Sequence, residues 1–344
     1  MIKNIIQEGF ALKNKGYYKR AIEVFYKALE FDSNSLELLQ EIAELYYLLG
    51  NEEKALSYIE QILNKDAQNI VALKFLKKIF EVKGALNEAE QTAKNIYCIS
   101  RKNADLVEIF KLLIEQNKFD EVFEYKIDAP SSFVLLEIAK AHYFKKEYEK
   151  ALDILINITD IKEDKEYILL LGEVYYALKM RDKCIDLANC FVIEDSTPEQ
   201  LNFVGLVELY LENYKKAIAC FQKAIKKDSK NSEYYFNLAN VFFKQGDLAS
   251  AKKQYNMAIS LSPNNQHYHF ALSNLYYTEK HYKKALEELT GDFFEAKLLK
   301  SIILYDAGYL ALSKKELNSL IEENPNSQIV KDYIHRINLE LGLS

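Results

Sequence analysis

The stretch SEYYFNLANVFFKQGDLASAKKQYNMAISLSPNN, residues 232–265, decides how the whole chain is interpreted. Apolar residues recur in it at intervals of three and four, in two blocks that are separated by a turn at Gly246. That period is typical of two amphipathic helices, and a short polar turn between them makes them antiparallel neighbours. The stretch therefore predicts a helical hairpin, which cannot bury its apolar face alone.

The same pattern returns along the chain with a step of 34 residues. The positions that share this spacing are Gly16, Gly50 and Gly84, then Ala21, Ala55 and Ala89, and later Ala217, Ala251 and Ala285. Small residues at such places let two helix backbones approach closely, while large residues fill the space between neighbouring hairpins. This self-similarity indicates a repeat protein in which stacked hairpins share one continuous core.

The hairpin pattern resembles the tetratricopeptide repeat family. Leu248 stands where the family favours tyrosine, and the other family positions are filled by Tyr235, Leu238, Ala239, Phe242, Gly246, Ala251, Tyr255, Ala258 and Pro263. Residues 2–35, 165–198 and 198–231 match in part, with Cys184 in place of a buried alanine. The resemblance implies an all-α fold, a right-handed superhelical solenoid of about ten helix-turn-helix repeats.

We expect residues 2–327 to form this solenoid as a single array. Equivalent positions step by only 29 and 28 residues at two irregular repeats, near 104–131 and 266–293, which predicts a shortened second helix in each. Residues 328–344 follow Pro325 and carry apolar residues at helical spacing. We predict that they form a C-terminal capping helix, because a terminal repeat needs a cover for its apolar face.

Composition and charge narrow the possible locations and partners. The 344-residue chain has only 10 glycines and 4 prolines, which disfavours sheets and their turns. No apolar run reaches the ~18 residues of a membrane-spanning helix, so we expect a cytoplasmic protein without a membrane segment. The net charge of −6 divides into −7 for residues 1–198 and +1 for 199–344. Nucleic-acid binding needs a basic face, so we expect no nucleic-acid partner.

No motif for catalysis, cofactor binding or metal binding stands out. A Gly-rich phosphate loop, a nucleophile elbow and an H-E-x-x-H motif are all absent from the sequence. His267 and His269 would point in different directions, because each residue turns a helix by about 100°. The four cysteines lack Cys-x-x-Cys spacing. We therefore predict a non-enzymatic protein with no catalytic residue, no cofactor and no metal.

Two asparagines, Asn237 and Asn240, lie among the apolar residues of the first helix of the 232–265 hairpin. Because Leu238 and Phe242 belong to the packing face of this helix, we expect both asparagines on its other side. In the family that side lines the inner concave groove, where asparagines at these positions hydrogen-bond the backbone of an extended peptide. An amide suits this role because it offers a donor and an acceptor together.

The next repeat supplies only half of this pair, since it has Asn274 at the second position and Ala271 at the first. Aromatic residues on the same stripe would provide apolar area for anchoring side chains. Alternatively, these residues reflect repeat chemistry alone. The predicted groove residues are Asn202, Asn237, Asn240, Asn274, Tyr143, Tyr176, Phe243 and Tyr277.

The sequence thus predicts a non-catalytic scaffold or adaptor that binds an extended peptide or a partner helix in its concave groove. Three alternatives stay open. The chain could be an RNA-binding helical-repeat protein, although such proteins read bases from a basic surface. It could also be a recruitment subunit of an enzyme complex, or it could self-associate through exposed aromatic residues.

Overall fold

The computed structural model describes residues 2–342, so Met1, Leu343 and Ser344 lie outside the described part of the chain. Contacts divide the chain into two compact units, unit one (Met1–Leu178) and unit two (Lys179–Ser344). The helices of unit one are α1 (Ile2–Asn14), α2 (Tyr18–Leu29), α3 (Leu36–Leu48), α4 (Glu52–Lys65), α5 (Ile70–Val82), α6 (Leu86–Ser100), α7 (Asn103–Glu115), α8 (Phe119–Phe123), α9 (Ser132–Phe144), α10 (Tyr148–Asn157) and α11 (Lys165–Ala177).

The helices of unit two continue the same alternation. They are α12 (Arg181–Ala188), α13 (Pro198–Tyr210), α14 (Tyr214–Lys227), α15 (Ser232–Lys244), α16 (Leu248–Leu261), α17 (Gln266–Thr278), α18 (Tyr282–Glu288), α19 (Phe294–Asp306), α20 (Leu310–Glu323) and α21 (Gln328–Glu340). The first helix of each repeat is called helix A and the second helix B, so helices A are odd-numbered. Throughout residues 2–342 every regular element is helical.

The turn between helix A and helix B has the same backbone conformation in every repeat. Positions in a repeat are counted from the first residue of helix A. The fifteenth residue of each repeat has a positive φ between 58° and 83°; these residues are Gly16, Gly50, Gly84, Asn117, Lys146, Lys179, Glu212, Gly246, Lys280 and Gly308. These residues mark ten hairpins. The predicted fold class, an all-α array of about ten helix-turn-helix repeats, is confirmed.

Short polar side chains fix where several helices begin. The carboxylate of Asp247 accepts a hydrogen bond from the backbone N–H of Ser250 at 3.0 Å, which caps α16. At the start of α13, the Thr197 and Gln200 side chains each accept a hydrogen bond from the other residue's backbone N–H. Such caps pair N–H groups that the first turn of a helix leaves without partners.

In most repeats, close contact between helix A and helix B depends on a small residue at the eighth position, and the exceptions are Lys77 and Phe110. A Cβ atom added to Gly9 or Gly205 would lie only 2.5 Å or 2.7 Å from the ring of Phe25 or Phe221. The aromatic rings therefore occupy the space that a side chain on helix A would need. This packing holds helix A and helix B of these hairpins together.

Helix B varies in length far more than helix A. Helices α4, α14, α16 and α20 have 14 residues, whereas α8 has 5 and α18 has 7. After α8, the ring of Tyr125 lies 5.2 Å from that of Phe110, and Ile127 packs against the same cluster of buried residues. Helix α12 is also short, with 8 residues, although the step from Cys184 to Ala217 is 33. Residues 189–197 make up the length that this third short helix lacks. The spacing between equivalent residues therefore stays close to 34 and does not reveal it.

Helix α21 lies against α20 with the geometry of a further helix A. Val330 and Ile337 are buried in the cluster that contains Leu317 and Leu320 of α20, and Gly342 has a positive φ of 65° like the hairpin turns. Exposed, polar His335 takes the place of the small eighth residue. Two residues of the predicted cap 328–344 lie outside the described part, and its capping role stays a prediction, as does the single array over 2–327.

Candidate peptide-binding surface

The buried amides of Asn202 and Asn237 join two helices A of unit two. The Nδ2 group of Asn237 on α15 donates a hydrogen bond to Oδ1 of Asn202 on α13 at 2.9 Å, and the side chains are 6% and 7% exposed. The Nδ2 group of Asn202 donates in turn to Glu233 at 3.3 Å. The expectation that Asn237 faces away from the packed side is wrong, because helix A packs against its neighbouring helix A as well as its own helix B.

Asn240 lies one turn further along α15 and is only half-buried. Its Oδ1 accepts a hydrogen bond from the hydroxyl of Tyr255 on α16 at 2.7 Å. Tyr255 is 2% exposed, and burial raises the pKa of its phenol. Within residues 2–342 no group accepts a hydrogen bond from Nδ2 of Asn240, so this donor can bind a ligand.

Asn274 occupies the equivalent position of the next repeat, on α17. It is half-buried like Asn240, and its backbone carbonyl accepts a hydrogen bond from the Thr278 hydroxyl at 2.8 Å. No group in the described part of the chain hydrogen-bonds its side-chain amide. Donor and acceptor are therefore both available on the Asn274 side chain.

Two aromatic residues accompany these asparagines, each three residues further along the same helix. Phe243 is half-buried and packs against the core between α15, α16 and α17. The hydroxyl of Tyr277 donates to Oδ2 of Asp306 on α19 at 2.5 Å. Burial and this hydrogen bond raise the pKa of Tyr277. Asn240, Asn274, Phe243 and Tyr277 together are called the amide–aromatic surface below.

Tyr143 and Tyr176 lie in unit one, on α9 and α11, and both are half-buried. The ring of Tyr143 contacts Phe144 and Tyr148 with centroids 5.4 Å and 5.7 Å apart. The eight predicted groove residues therefore divide between the two compact units. Those of unit two divide again into the buried Asn202–Asn237 pair and the amide–aromatic surface.

The histidines considered as metal ligands have other partners. The ring of His267 lies 4.8 Å from that of Phe293, and His269 contacts a Glu288 carboxylate oxygen at 2.6 Å and the Pro263 carbonyl at 2.9 Å. Over the described residues, no three His, Cys, Asp or Glu side chains gather in a way that could hold a metal ion. None of the helices within residues 2–342 is long and apolar enough to span a bilayer.

Sequence reasoning missed the polar contacts between successive helices A. Tyr277 and Tyr305 stand at the twelfth position of their repeats, and each donates a hydrogen bond to the acid at the thirteenth position of the following helix A, Asp306 or Glu340. The signal is present in the sequence as a tyrosine followed one repeat and one residue later by an acid. Its recognition requires the repeat boundaries, which vary around the short helices.

Family models match three parts of the chain. Models described as tetratricopeptide repeat match residues 15–79 and 232–265, and one described as TPR repeat matches residues 205–246. Residues 15–79 and 205–265 therefore contain tetratricopeptide repeats. Such repeats indicate a role in protein–protein interaction.

Curated relatives are distant and longer than the matched region. A TPR repeat-containing protein, MJ1428, of Methanocaldococcus jannaschii is 25% identical over 71% of this chain and 35% of its own length. The BBSome complex member BBS4 of Bos taurus is 23% identical over 91% and 62%. Hsp70-Hsp90 organizing protein 3 of Arabidopsis thaliana is 21% identical over 66% and 43%. The chain thus spans between about a third and three fifths of these relatives.

Among solved structures, the crystal structure of the APC/C hetero-tetramer Cut9-Hcn1 is similar with a TM-score of 0.61. The match has 13% sequence identity and covers 97% of this chain and 75% of that chain. At this identity the likeness concerns the fold alone, and it agrees with the helix-turn-helix repeats described above.

Proposed function

We propose that this protein is a non-catalytic scaffold that holds an extended peptide or a partner helix on the amide–aromatic surface of unit two. The observation that supports this role is the pair Asn240 and Asn274, at equivalent positions on α15 and α17, with side-chain amides that are not fully used within the chain. An amide can pair with a backbone peptide group whatever side chain stands beside it.

The aromatic residues add the apolar part of the surface. Phe243 and Tyr277 follow their asparagines by three residues, so each ring lies on the same helical face as the amide. Aromatic rings supply large contact area and fix which side chains of a partner are accepted. Because the residues stand on packed helices, little conformational entropy is lost from the receptor when a partner binds.

The names of the relatives agree with a role in assemblies. One is a BBSome complex member and another is an Hsp70-Hsp90 organizing protein. We extend from them only the general property of binding other proteins. A recruitment subunit of an enzyme complex is a special case of this proposal, since such a subunit also binds its partner through a protein surface.

The test is a selection of binders from a random library of 12-residue peptides, with the purified full chain as bait. Asn240→Asp together with Asn274→Asp keeps the oxygen that accepts from Tyr255 but removes both Nδ2 donors. We expect binders of the wild-type chain to lose about tenfold or more in affinity for this variant, about 1.4 kcal/mol.

The matched control is Asn256→Asp with Asn264→Asp, which makes the same chemical change at exposed positions outside the amide–aromatic surface. Affinity should stay within about twofold of wild type for this control. Equal affinities of all binders for the wild-type chain and for the Asn240/Asn274 variant would refute the site.

A further inference from the structure

Two successive helices B of unit two, α14 and α16, contain no acidic residue. Every other helix B described above has at least one Asp or Glu. The lysines of these two helices are Lys215, Lys216, Lys223, Lys226, Lys227, Lys252 and Lys253. Residues 214–261, which include both helices, carry nine lysines against three acids, a charge of +6, so the rest of the chain carries −12. The net charge of −6 therefore conceals one strongly cationic segment.

The fold turns the lysines of α14 and α16 toward solvent. Helix α15 packs against both helices, and their apolar faces are buried with Phe221 and Tyr255 in the adjoining core clusters. Six of the seven lysines are exposed, and Lys252 is half-buried. Because stacked hairpins repeat one geometry, successive helices B lie on the same side of the stack. The seven lysines thus form one cationic surface, called the lysine surface below.

Internal ion pairs neutralise little of the lysine surface. Nζ of Lys216 lies 3.4 Å from a carboxylate oxygen of Glu208, and Nζ of Lys223 lies 3.3 Å from one of Glu194. Both lysines are exposed, so water weakens these two pairs. Over residues 2–342, no carboxylate lies within ion-pair distance of three further exposed lysines, which are Lys215, Lys226 and Lys253.

The lysine surface also has aliphatic side chains beside its charges. Met257 and Leu261 on α16 are 40% and 38% exposed, and they follow Lys253 at intervals of four residues, which places all three on one helical face. The aromatic residues of α14 and α16 are half-buried or buried, and neither helix has an arginine. Stacking on exposed rings and bidentate pairing of phosphates with arginine are the usual means of binding nucleic acids. The lysine surface lacks both.

We propose that the lysine surface docks unit two on a lipid bilayer that contains anionic headgroups. The negative potential of such a bilayer attracts clustered lysines within a Debye length of its surface. Met257 and Leu261 enter the headgroup region, where aliphatic groups leave water. A bilayer meets one face of a protein, so the acids of the other residues need not approach it. A long polyanion would meet those acids as well.

The experiment is co-sedimentation of the purified full chain with vesicles of phosphatidylglycerol and phosphatidylcholine in equal amounts. The test variant carries Lys215→Gln, Lys226→Gln and Lys253→Gln. We expect the wild type to bind these vesicles but not vesicles of phosphatidylcholine alone, and to dissociate as salt is added. The test variant should bind the anionic vesicles about a hundredfold more weakly, because each lysine near the bilayer contributes to the attraction.

The matched control carries Lys19→Gln, Lys27→Gln and Lys315→Gln. It removes three exposed lysines from α2 and α20, two helices B that also have acidic residues. The control has the same net charge as the test variant and should bind within about twofold of wild type. Circular dichroism should be unchanged in both variants, because all six lysines are exposed. Equal loss of binding in both would overturn the proposal, since only overall charge would then matter.

A second variant, Met257→Gln with Leu261→Gln, separates a bilayer from other polyanions. It should bind the anionic vesicles about fivefold more weakly, because two aliphatic groups no longer enter the headgroup region. Full retention of vesicle binding by this variant would overturn the proposal. So would a wild-type chain that ignores anionic vesicles, or that binds a random RNA pool or polyglutamate more tightly than it binds the vesicles.

This proposal is independent of the function proposed for unit two. The lysine surface lies on helices B, whereas the amide–aromatic surface lies on helices A. Asn240→Asp with Asn274→Asp should therefore change vesicle binding by no more than about twofold. The triple lysine variant should in turn keep the peptides selected on the amide–aromatic surface, so each proposal can fail without the other.

Discussion

The Asn237 amide donates its hydrogen bond across two neighbouring helices, in a place that water barely reaches. Asn240, three residues later, keeps a free donor. The two residues have the same chemistry and share a helix, so burial alone separates a stabilising role from a binding role. Each role makes a different prediction for substitution.

Asn237→Ala should lower the free energy of unfolding by about 1–3 kcal/mol, because Oδ1 of Asn202 would stay buried without its donor. Urea denaturation of the full chain measures this change. The control is Asn256→Ala, at an exposed position on α16, which should stay within about 0.5 kcal/mol of wild type. Equal stability of the two variants would contradict the structural role of Asn237.

The sequence predicted that asparagines matter in this helix, but it did not separate Asn237 from Asn240. Period and spacing place both residues away from the contact with helix B. The second contact of helix A, with the helix A of the next repeat, is made in space by residues about one repeat apart. Asn202 and Asn237 are 35 residues apart, not 34, so the search for equivalent positions did not pair them.

At the scale of the helical elements, every hairpin turn has the same left-handed conformation, whether or not its residue is one that adopts this conformation easily. Five of the ten turn positions have glycine, and the other five have Asn117, Lys146, Lys179, Glu212 and Lys280 in the same left-handed conformation. Non-glycine residues pay about 1–2 kcal/mol for this conformation. The packing of helix A against helix B therefore imposes the turn even where the sequence disfavours it.

Glu212→Gly should accordingly raise the free energy of unfolding by about 0.5–1 kcal/mol, since relief of strain exceeds the added entropy of the unfolded chain. Gln245→Gly is the control, because Gln245 ends its helix with an ordinary φ of −77°. That substitution should lower stability by a similar amount. Thermal denaturation of both variants decides the sign, and a destabilised Glu212→Gly protein would count against strain in the turn.

Glu90 of α6 connects the helices of the third and fourth repeats through its carboxylate. Its oxygens lie 2.5 Å from Nζ of Lys94 and 2.7 Å from Nζ of Lys118, and it also accepts from Gln116 at 3.0 Å. Burial alone would raise the pKa of Glu90, but the hydrogen bonds from Lys118 and Lys94 outweigh burial and lower it below the usual 4.5. The charged carboxylate therefore stabilises the fold.

Glu90→Gln should cost about 1–3 kcal/mol at pH 7, and this difference from wild type should disappear in acid. Because the pKa is lower in the folded state, the stabilisation is complete above the unfolded value of 4.5. It is lost as the pH falls through the folded value. Urea denaturation at pH 7, 5 and 3 measures it, with exposed Glu149→Gln as the control. A difference that does not change with pH would exclude this role.

At the scale of the whole molecule, the repeat architecture was predictable because packing requires it. Gly9, Gly205 and Ala239 stand where helix A meets helix B, so they must be small. This requirement produces a regular spacing of small residues in the sequence. The exceptions to this spacing were not predictable. Lys77 and Phe110 stand at the same eighth position, and contacts that only the structure shows accommodate them: Glu81 and Glu108 for Lys77, and Tyr125 for Phe110.

Stability in such an array is roughly a sum of repeat terms and neighbour terms, which makes a prediction for unit two. Asn237→Ala should increase amide hydrogen exchange most in α13–α16, which the Asn202–Asn237 pair joins, and least in α19–α21. Exchange of the full-length variant and wild type, followed by mass spectrometry of fragments, gives this profile. A uniform increase across unit two would indicate a single cooperative core instead.

The most direct test of the account is a nuclear magnetic resonance titration of the labelled full chain with a peptide selected on it as described for unit two. The side-chain amide signals of Asn240 and Asn274 should shift first and furthest, together with the backbone signals of Phe243 and Tyr277, while those of exposed Asn256 stay in place. Shifts confined to helix B, or to the buried Asn202–Asn237 pair, would contradict binding on the amide–aromatic surface.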